Sequence, residues 1–192
     1  MTYKTHLSTG LLFSAIVFLV YLKIDLSPMV IIGIVISTVL GSSAPDLDTP
    51  TSGLWSKVPV GRTIGHVVHP IFLGGHRHLS HSIIGFGLFI LLFNFLLHLI
   101  LPATSAPNLV NYQANNLYLL AFGIGIVSHL LADMFTEAGV PLLFPLGYHF
   151  GIPPNPFEKI RIKTGRWFEN LIVYPAVNLA LIYTLWQYFF KK

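Results

Sequence analysis

The sequence describes an all-α integral membrane protein: a helical bundle of about four to five transmembrane helices with two long loops on one membrane side. Three observations carry this expectation. Hydrophobic residues make up 54% of the 192 residues and charged residues only 9%, where an ordinary soluble domain carries roughly 25% charged residues. The apolar residues fall into five runs, each near the roughly 20 residues that cross a bilayer. Much of the Gly and Pro collects in two polar stretches, 44–80 and 135–169, and long loops of this kind are often functional. A 21.3 kDa globule cannot bury this much apolar surface and still present a polar exterior. An ordinary cytosolic domain, a disordered chain and a nucleic-acid-binding module are thereby excluded. The chain reads as one membrane-embedded domain, residues 1–192.

The first run, Leu7 to Leu22, ends at Lys23. It lacks a small-residue cleavage site before that lysine, so it reads as a retained helix rather than a signal peptide. The second, Pro28 to Ser43, is short and makes with the first a hairpin that barely spans. The third, Ile83 to Leu101, is the clearest. The fourth runs from Leu117 to Met134, and the fifth from Leu171 to Phe190, ending in Lys191-Lys192. Buried helices of a soluble bundle fit five such runs poorly, because the loops hold too few charges. Small residues in the first helix (Ser8, Thr9, Gly10, Ser14) and the fourth (Gly123, Gly125, Ser128) predict close helix packing, within or between chains. The oligomeric state is left open.

Lysine and arginine counts orient the bundle. With the N-terminus inside, the inner face holds Lys4, Lys57, Arg62, Arg77, Lys159, Arg161, Lys163 and Arg166, against Lys23, Lys191 and Lys192 outside. The N-terminus is then inside and the C-terminus outside, and both long loops lie on the cytoplasmic side of the membrane.

Cysteine is absent, so disulfides and thiolate metal sites are excluded. The nine histidines outnumber the seven carboxylates. His6 stands just before the first helix. Asp46 and Asp48 follow the second. His76, His78 and His81 precede the third, and His129 and Asp133 close the fourth. All fall at one membrane face, where an up-down bundle brings helix ends together. His129 and Asp133 are i, i+4 and share a helix face. Imidazole with carboxylate and no thiolate suits zinc, manganese or iron. The candidates outnumber one ion's need, which favours two divalent ions clamping the attacking and leaving oxygens. Ionisable groups at membrane depth are costly and usually functional. His98 and His149 read as interfacial polar groups and Asp25 as solvated. His66 and His69 stay outside the set. Arg77 would hold a phosphoryl oxygen bidentately or orient a metal-bound carboxylate. Ser80 and Ser82 would support the neighbouring histidines by hydrogen bonds. The basic segment Lys159-Ile160-Arg161-Ile162-Lys163 with Arg166 reads as a juxtamembrane anchor meeting anionic headgroups, with recognition of a substrate phosphate as the alternative.

The same residues carry a resemblance. They are His6, Pro45-Asp46-Leu47-Asp48, the His-Arg-x-x-Ser-His-Ser run from His76 to Ser82, and His129-x-x-x-Asp133 with Phe135-Thr136. Gly139-Val140-Pro141-Leu142-Leu143 and Thr164-Gly165 with Glu169 complete the pattern. In these the chain resembles the YdjM-like family of bacterial membrane-bound proteins described as metal-dependent hydrolases, some as LexA-regulated. The resemblance covers essentially the whole chain, and its most specific piece is the His-Arg-x-x-Ser-His-Ser run. It implies a membrane hydrolase with metal ligands His6, Asp46, Asp48, His76, His81, His129 and Asp133, and Glu169 as a further candidate. His78 falls on a variable position. The motifs are also similar to those of zinc-dependent phospholipase C and P1-type nucleases, whose His and Asp residues hold a zinc cluster.

The expectation is a membrane-bound metal-dependent hydrolase that cleaves a phosphoester of a lipid or membrane-associated substrate through a metal-activated water. Zinc is the first choice of ion, with manganese also compatible. Arg77 would hold the phosphate, and Asp46 or Asp48 would take the water's proton; spacing does not choose between them. Membrane lipid is the environment and a candidate substrate, and nucleic acid is not expected. The alternative is a membrane metal transporter or metal-binding protein without hydrolytic activity. Transport sites usually lie near the bilayer midplane, whereas these ligands gather at helix ends.

Overall fold

The computed structural model describes residues 1–23, 27–53, 55–57, 59–71, 77–100 and 109–191. Among them are six α-helices: α1 (Tyr3–Ala15), α2 (Pro28–Ser43), α3 (Gly61–Val68), α4 (Ile83–Ile100), α5 (Leu109–Met134) and α6 (Tyr174–Phe190). No β-strand occurs among the described residues; Thr136 with Ile162, and Val140 with Phe150, form isolated bridges. The all-helical membrane bundle expected from composition is what the chain adopts.

A π-helical stretch, Ile16–Tyr21, prolongs α1, and a second, Glu169–Val173, leads into α6. Four segments are then long and apolar enough to cross a bilayer: Tyr3–Tyr21, Ile83–Ile100, Ala114–Met134 and Glu169–Phe190. The fifth sequence run thus has a full span's length. α2 has 16 residues, about 24 Å at 1.5 Å per residue, short of a hydrocarbon core of roughly 30 Å. It belongs to the bundle through its packing on α5. The chain departs from the expected plain loop at 44–80, which contains α3 and several short three-ten turns. Gly65 lets α3 lie against Pro50 and Trp55: a Cβ there would stand 2.9 Å from Pro50 Cα.

α2 and α5 meet backbone to backbone. A Cβ on Gly41 would lie 2.1 Å from the Phe122 carbonyl oxygen, and one on Gly125 would lie 2.5 Å from that of Thr38. The small residues therefore pack helices within one chain. Around this crossing Phe89, Phe122, Ile126, Leu130 and Val140 form the apolar core. Phe93 stacks on Phe122 with centroids 4.0 Å apart. Ser14 and Thr38 share a buried 2.7 Å hydrogen bond between α1 and α2. The outer faces stay apolar and exposed: Leu91, Phe95 and Leu99 on α4, and Leu179, Ile182 and Phe189 on α6. A surface of this kind needs lipid as its solvent.

Helix directions decide where the polar residues go. α1 and α4 begin, and α2 and α5 end, at one end of the bundle, and the segment entering α6 joins them there through Glu169. The 135–169 loop is folded around Arg161, which is buried. Its guanidinium donates to the Pro153 carbonyl at 2.7 Å and to Asn155 Oδ1 at 2.6 Å. Arg161 therefore holds the loop together and is not a headgroup-facing member of the basic segment.

Candidate metal centre

The last turn of α2 ends without intrahelical partners for its carbonyls. The Ser42 carbonyl oxygen accepts a 2.7 Å hydrogen bond from His129 Nδ1 of α5. A carbonyl only accepts, so His129 carries its proton on Nδ1 and presents Nε2 as a lone pair. His81, in the three-ten turn Leu79–His81, is fixed by a parallel device. The Ser80 hydroxyl donates to Asp48 Oδ2, so Ser80 Oγ receives the 2.9 Å bond from His81 Nδ1. His81 Nε2 is then a lone pair as well.

These two lone pairs face each other at 3.3 Å. Two carboxylate oxygens close on the same point. Asp46 Oδ1 lies 3.7 Å from His129 Nε2 and 4.0 Å from His81 Nε2. Asp133 Oδ2 lies 3.8 and 3.7 Å from the same atoms. Four acceptors thus converge. One shared proton would satisfy one pair; a divalent cation would satisfy both imidazoles and a carboxylate together. A tetrahedral ion with bonds of about 2.0–2.1 Å sets its ligand atoms roughly 3.3–3.4 Å apart. The spacings of 3.3, 3.7 and 3.8 Å among His81, His129 and Asp133 reach that by contracting by at most about half an ångström, so these three donors suit such an ion in both distance and chemistry.

His6 joins from α1. Its ring stacks on His129 with centroids 3.6 Å apart and planes 6° from parallel. Its Nε2 lies 3.3 Å from Asp133 Oδ1, and its buried Nδ1 has no hydrogen-bond partner among the described residues. The Met1 amino group also contacts Asp133 Oδ1. Two groups of potential ligands result, His6 with His129 and Asp133, and Asp46 with His81 and His129. They share His129.

Arg77 binds the centre from outside. Its Nη2 lies 2.8 Å from Asp133 Oδ2, and its Nη1 donates to Thr136 Oγ1 at 3.1 Å and to the Gly139 carbonyl at 3.3 Å. Its backbone is left-handed, φ 61°, a conformation uncommon for a side chain with a Cβ. That conformation goes with a main-chain N–H given to Asp48 Oδ2 at 3.1 Å. One residue therefore bridges Asp48 and Asp133. Of its two expected roles, the geometry matches the orienting of a carboxylate.

The remaining expected ligands fall elsewhere. Asp48 is buried and holds Ser80, Arg77 N–H and Thr49 Oγ1, the last at 2.8 Å. It belongs to neither ligand group. Glu169 is buried and accepts from Thr2 N–H at 2.6 Å, from Thr2 and Thr5 hydroxyls at 2.7 Å each, and from Gly165 N–H at 2.7 Å. Its carboxylate ties the start of α1 to the loop before α6, and it belongs to neither ligand group among the described residues. His76 and Asp25 lie outside the described residues. His149 Nδ1 donates to the Ala138 carbonyl at 2.9 Å, and the residue is half-buried in the loop. Ser82 does not support a histidine: it donates to the Leu79 carbonyl and accepts from Gly85 N–H, capping α4. Sequence reasoning missed Thr2, Thr5 and the Ser42 carbonyl. Hydroxyls in a first turn and a backbone oxygen leave no spacing signal.

The donors are buried except on one side. Asp46 keeps 16% and Arg77 13% of its side chain exposed, against 0–1% for His6, His81, His129 and Asp133. The centre opens past Asp46 and Arg77.

Comparison with known proteins gives a family. Residues 1–192 match the family described as YdjM inner membrane protein. The chain is 33% identical over 129 residues to the inner membrane protein YdjM of Escherichia coli strain K12, covering 62% of this chain and 53% of that one. The Shigella flexneri protein of the same name matches equally. The chain thus spans about half the length of these curated relatives. It is 29% identical over 189 residues to YvsG of Bacillus subtilis strain 168, a protein named as uncharacterized, covering 98% of this chain and 97% of that one. No solved structure matches. The chain belongs to the YdjM inner membrane protein family.

Proposed function

For this member of the family we propose a membrane-bound metal-dependent hydrolase acting on a phosphoester of a lipid or membrane-associated substrate. The observation that carries it is the convergence of four acceptor atoms from α5, the turn after α2 and the turn before α4, with both histidine tautomers fixed from behind. His81, His129 and Asp133 would hold the ion, and zinc and manganese both suit such a set. When bound, a divalent ion supplies Lewis acidity toward phosphoryl oxygens and makes water more acidic.

The protein's own groups divide the remaining work. Asp46, the exposed carboxylate, stands where water enters and takes the proton. Asp48 is committed to Ser80, Thr49 and the Arg77 main chain, so it orients rather than reacts. Arg77 pins Asp133 and lies at the mouth of the centre. One ion, in place of the two expected, is the stoichiometry we propose. Both ligand groups share His129, and with its Nδ1 given to the Ser42 carbonyl one ring nitrogen remains to bind one ion. The excess of Lys and Arg in the loops supports a position of this end on the cytoplasmic side of a bacterial inner membrane. A transport role is disfavoured by the position at helix ends.

The test is elemental analysis of detergent-purified protein together with a screen of phospholipid and phosphodiester hydrolysis. We expect about one equivalent of zinc or manganese and a metal-dependent activity. His129→Ala should lose both. Asp46→Asn should keep the metal and lose turnover by roughly 10²–10⁴-fold. Metal-free protein that still hydrolyses, or full activity in both variants, overturns the reading.

A further inference from the structure

The loop that enters α6 carries a second polar feature, separate from the metal centre. Lys163 and Arg166 are the outer residues of a turn closed by the 3.2 Å bond from Arg166 N–H to the Lys163 carbonyl. Gly165 in that turn has φ 75°, the left-handed position a tight turn of this kind gives to glycine. The turn brings two basic side chains to one edge of a cavity of about 580 Å³, lined also by Ile160, Ile162, Trp167 and Phe168. Trp167 is 66% exposed and Ile160 75%. Arg161 contributes to the lining, but its guanidinium is held internally by Pro153 and Asn155.

Depth in the membrane follows from the chain itself. The span begins at Glu169 and runs 22 residues, about 33 Å at 1.5 Å per residue, which fills the hydrocarbon core. Residues 160–168 therefore stand at headgroup level. Tryptophan at that level is a usual interfacial anchor, and Arg is the side chain best shaped for bidentate contact with phosphate. Lys163 is partly balanced by Glu137 at 3.5 Å; Arg166 extends the positive edge.

We propose that the cavity at Lys163, Arg166 and Trp167 is a docking site for the headgroup of an anionic phospholipid. The cations meet the phosphate and the aromatic and Ile160 surfaces meet the glycerol and upper acyl region. The site is fastened to the end of α5: Ile162 N–H donates to the Phe135 carbonyl at 2.9 Å, and Glu137 N–H to the Ile162 carbonyl at 3.1 Å. A lipid held there lies beside the loop that leaves Asp133. The proposal stands without the hydrolase reading, because it concerns lipid binding alone.

Tryptophan fluorescence can read it. The chain has three tryptophans. With Trp55→Phe and Trp186→Phe in place, Trp167 is the only donor to pyrene-labelled lipid in phosphatidylcholine nanodiscs. Each basic group at the surface is worth about fivefold in anionic-lipid partitioning, and Glu137 offsets part of the share of Lys163. We expect roughly tenfold enrichment of pyrene-phosphatidylglycerol over pyrene-phosphatidylcholine, falling to within about twofold in Lys163→Gln/Arg166→Gln. Metal content should not change. Equal transfer from both lipids, or a preference that survives the double substitution, overturns the proposal. Loss of the preference on adding inorganic phosphate would identify a simple phosphate site and overturn the lipid assignment. Should the tryptophan variants fail to fold, native mass spectrometry from a mixed micelle compares phosphatidylglycerol retained by the wild type and by Lys163→Gln/Arg166→Gln, with the same two outcomes.

Discussion

Ser80→Ala isolates the reasoning behind the metal centre, because it removes no proposed ligand. The Ser80 hydroxyl gives its hydrogen to Asp48 and receives that of His81 Nδ1 at 2.9 Å. Without it, His81 Nδ1–H turns toward Asp48 Oδ2, now 3.7 Å away, and a bond of ordinary length needs a shift of roughly 0.8 Å. The ring moves with it, and Nε2 leaves its 3.3 Å station opposite His129. Asp48 keeps Thr49 and the Arg77 N–H, so the fold around it persists. Hydrogen bonds behind a metal ligand are typically worth 10–100-fold in affinity, about 1.4–2.8 kcal/mol. Competition against a chromophoric zinc chelator, on stripped protein in detergent, measures it. Ser82→Ala is the matched control: it removes the cap of α4, costs about 1 kcal/mol of stability, and should leave zinc affinity within twofold. Unchanged affinity in Ser80→Ala, or an equal loss in Ser82→Ala, refutes the tautomer argument.

Other predictions follow from single contacts. Glu169→Ala strands the Thr2, Thr5 and Gly165 donors in the interior and should lower stability by on the order of 3 kcal/mol, read as a fall in the detergent melting temperature. Gly41→Ala drives a Cβ against the Phe122 carbonyl and should cost about 1–3 kcal/mol by the same measurement. Chelation should lower the melting temperature of the wild type, because an ion present at 100 times its dissociation constant adds about 2.7 kcal/mol. The same treatment should leave His129→Ala unmoved. His149→Ala, on an exposed loop, should change neither metal content nor activity.

Much of this molecule is visible in its sequence, for identifiable reasons. Apolar runs of span length dictate where helices lie, and their alternation dictates which ends meet. That places His6, Asp46, His81, His129 and Asp133 together before any packing is known. Finer assignments depended on contacts that leave no period or spacing. Asp46 and Asp48 are two residues apart in one three-ten turn, so spacing treats them alike. Glu169 joins the motif pattern, yet its carboxylate is filled by hydroxyls and amides of α1 and the loop. α3 is eight residues long, too short for its periodicity to stand out from loop. Small residues in α1 and α5 signal close packing, but only the structure shows that Gly10 meets Ser42 and Ser128, and Gly125 meets α2, within one chain.

The contrast between Asp46 and Asp48 carries the functional argument furthest. In a turn with three residues per repeat, side chains two apart diverge. Asp48 points inward to Ser80, Thr49 and the Arg77 main chain, and is buried. Asp46 points toward the two imidazoles and keeps contact with solvent. Asp48, buried and already accepting three hydrogen bonds, is turned away from any proton that an entering water would release. A carboxylate at the mouth, beside the ligand atoms, can accept one and release it to water. A closed structural ion site would need no such opening, because structural ions are enclosed by their ligands whereas catalytic ones keep a position for water. The opening beside Asp46 and Arg77 is therefore the feature on which the proposed hydrolytic role, as against a closed ion site, rests.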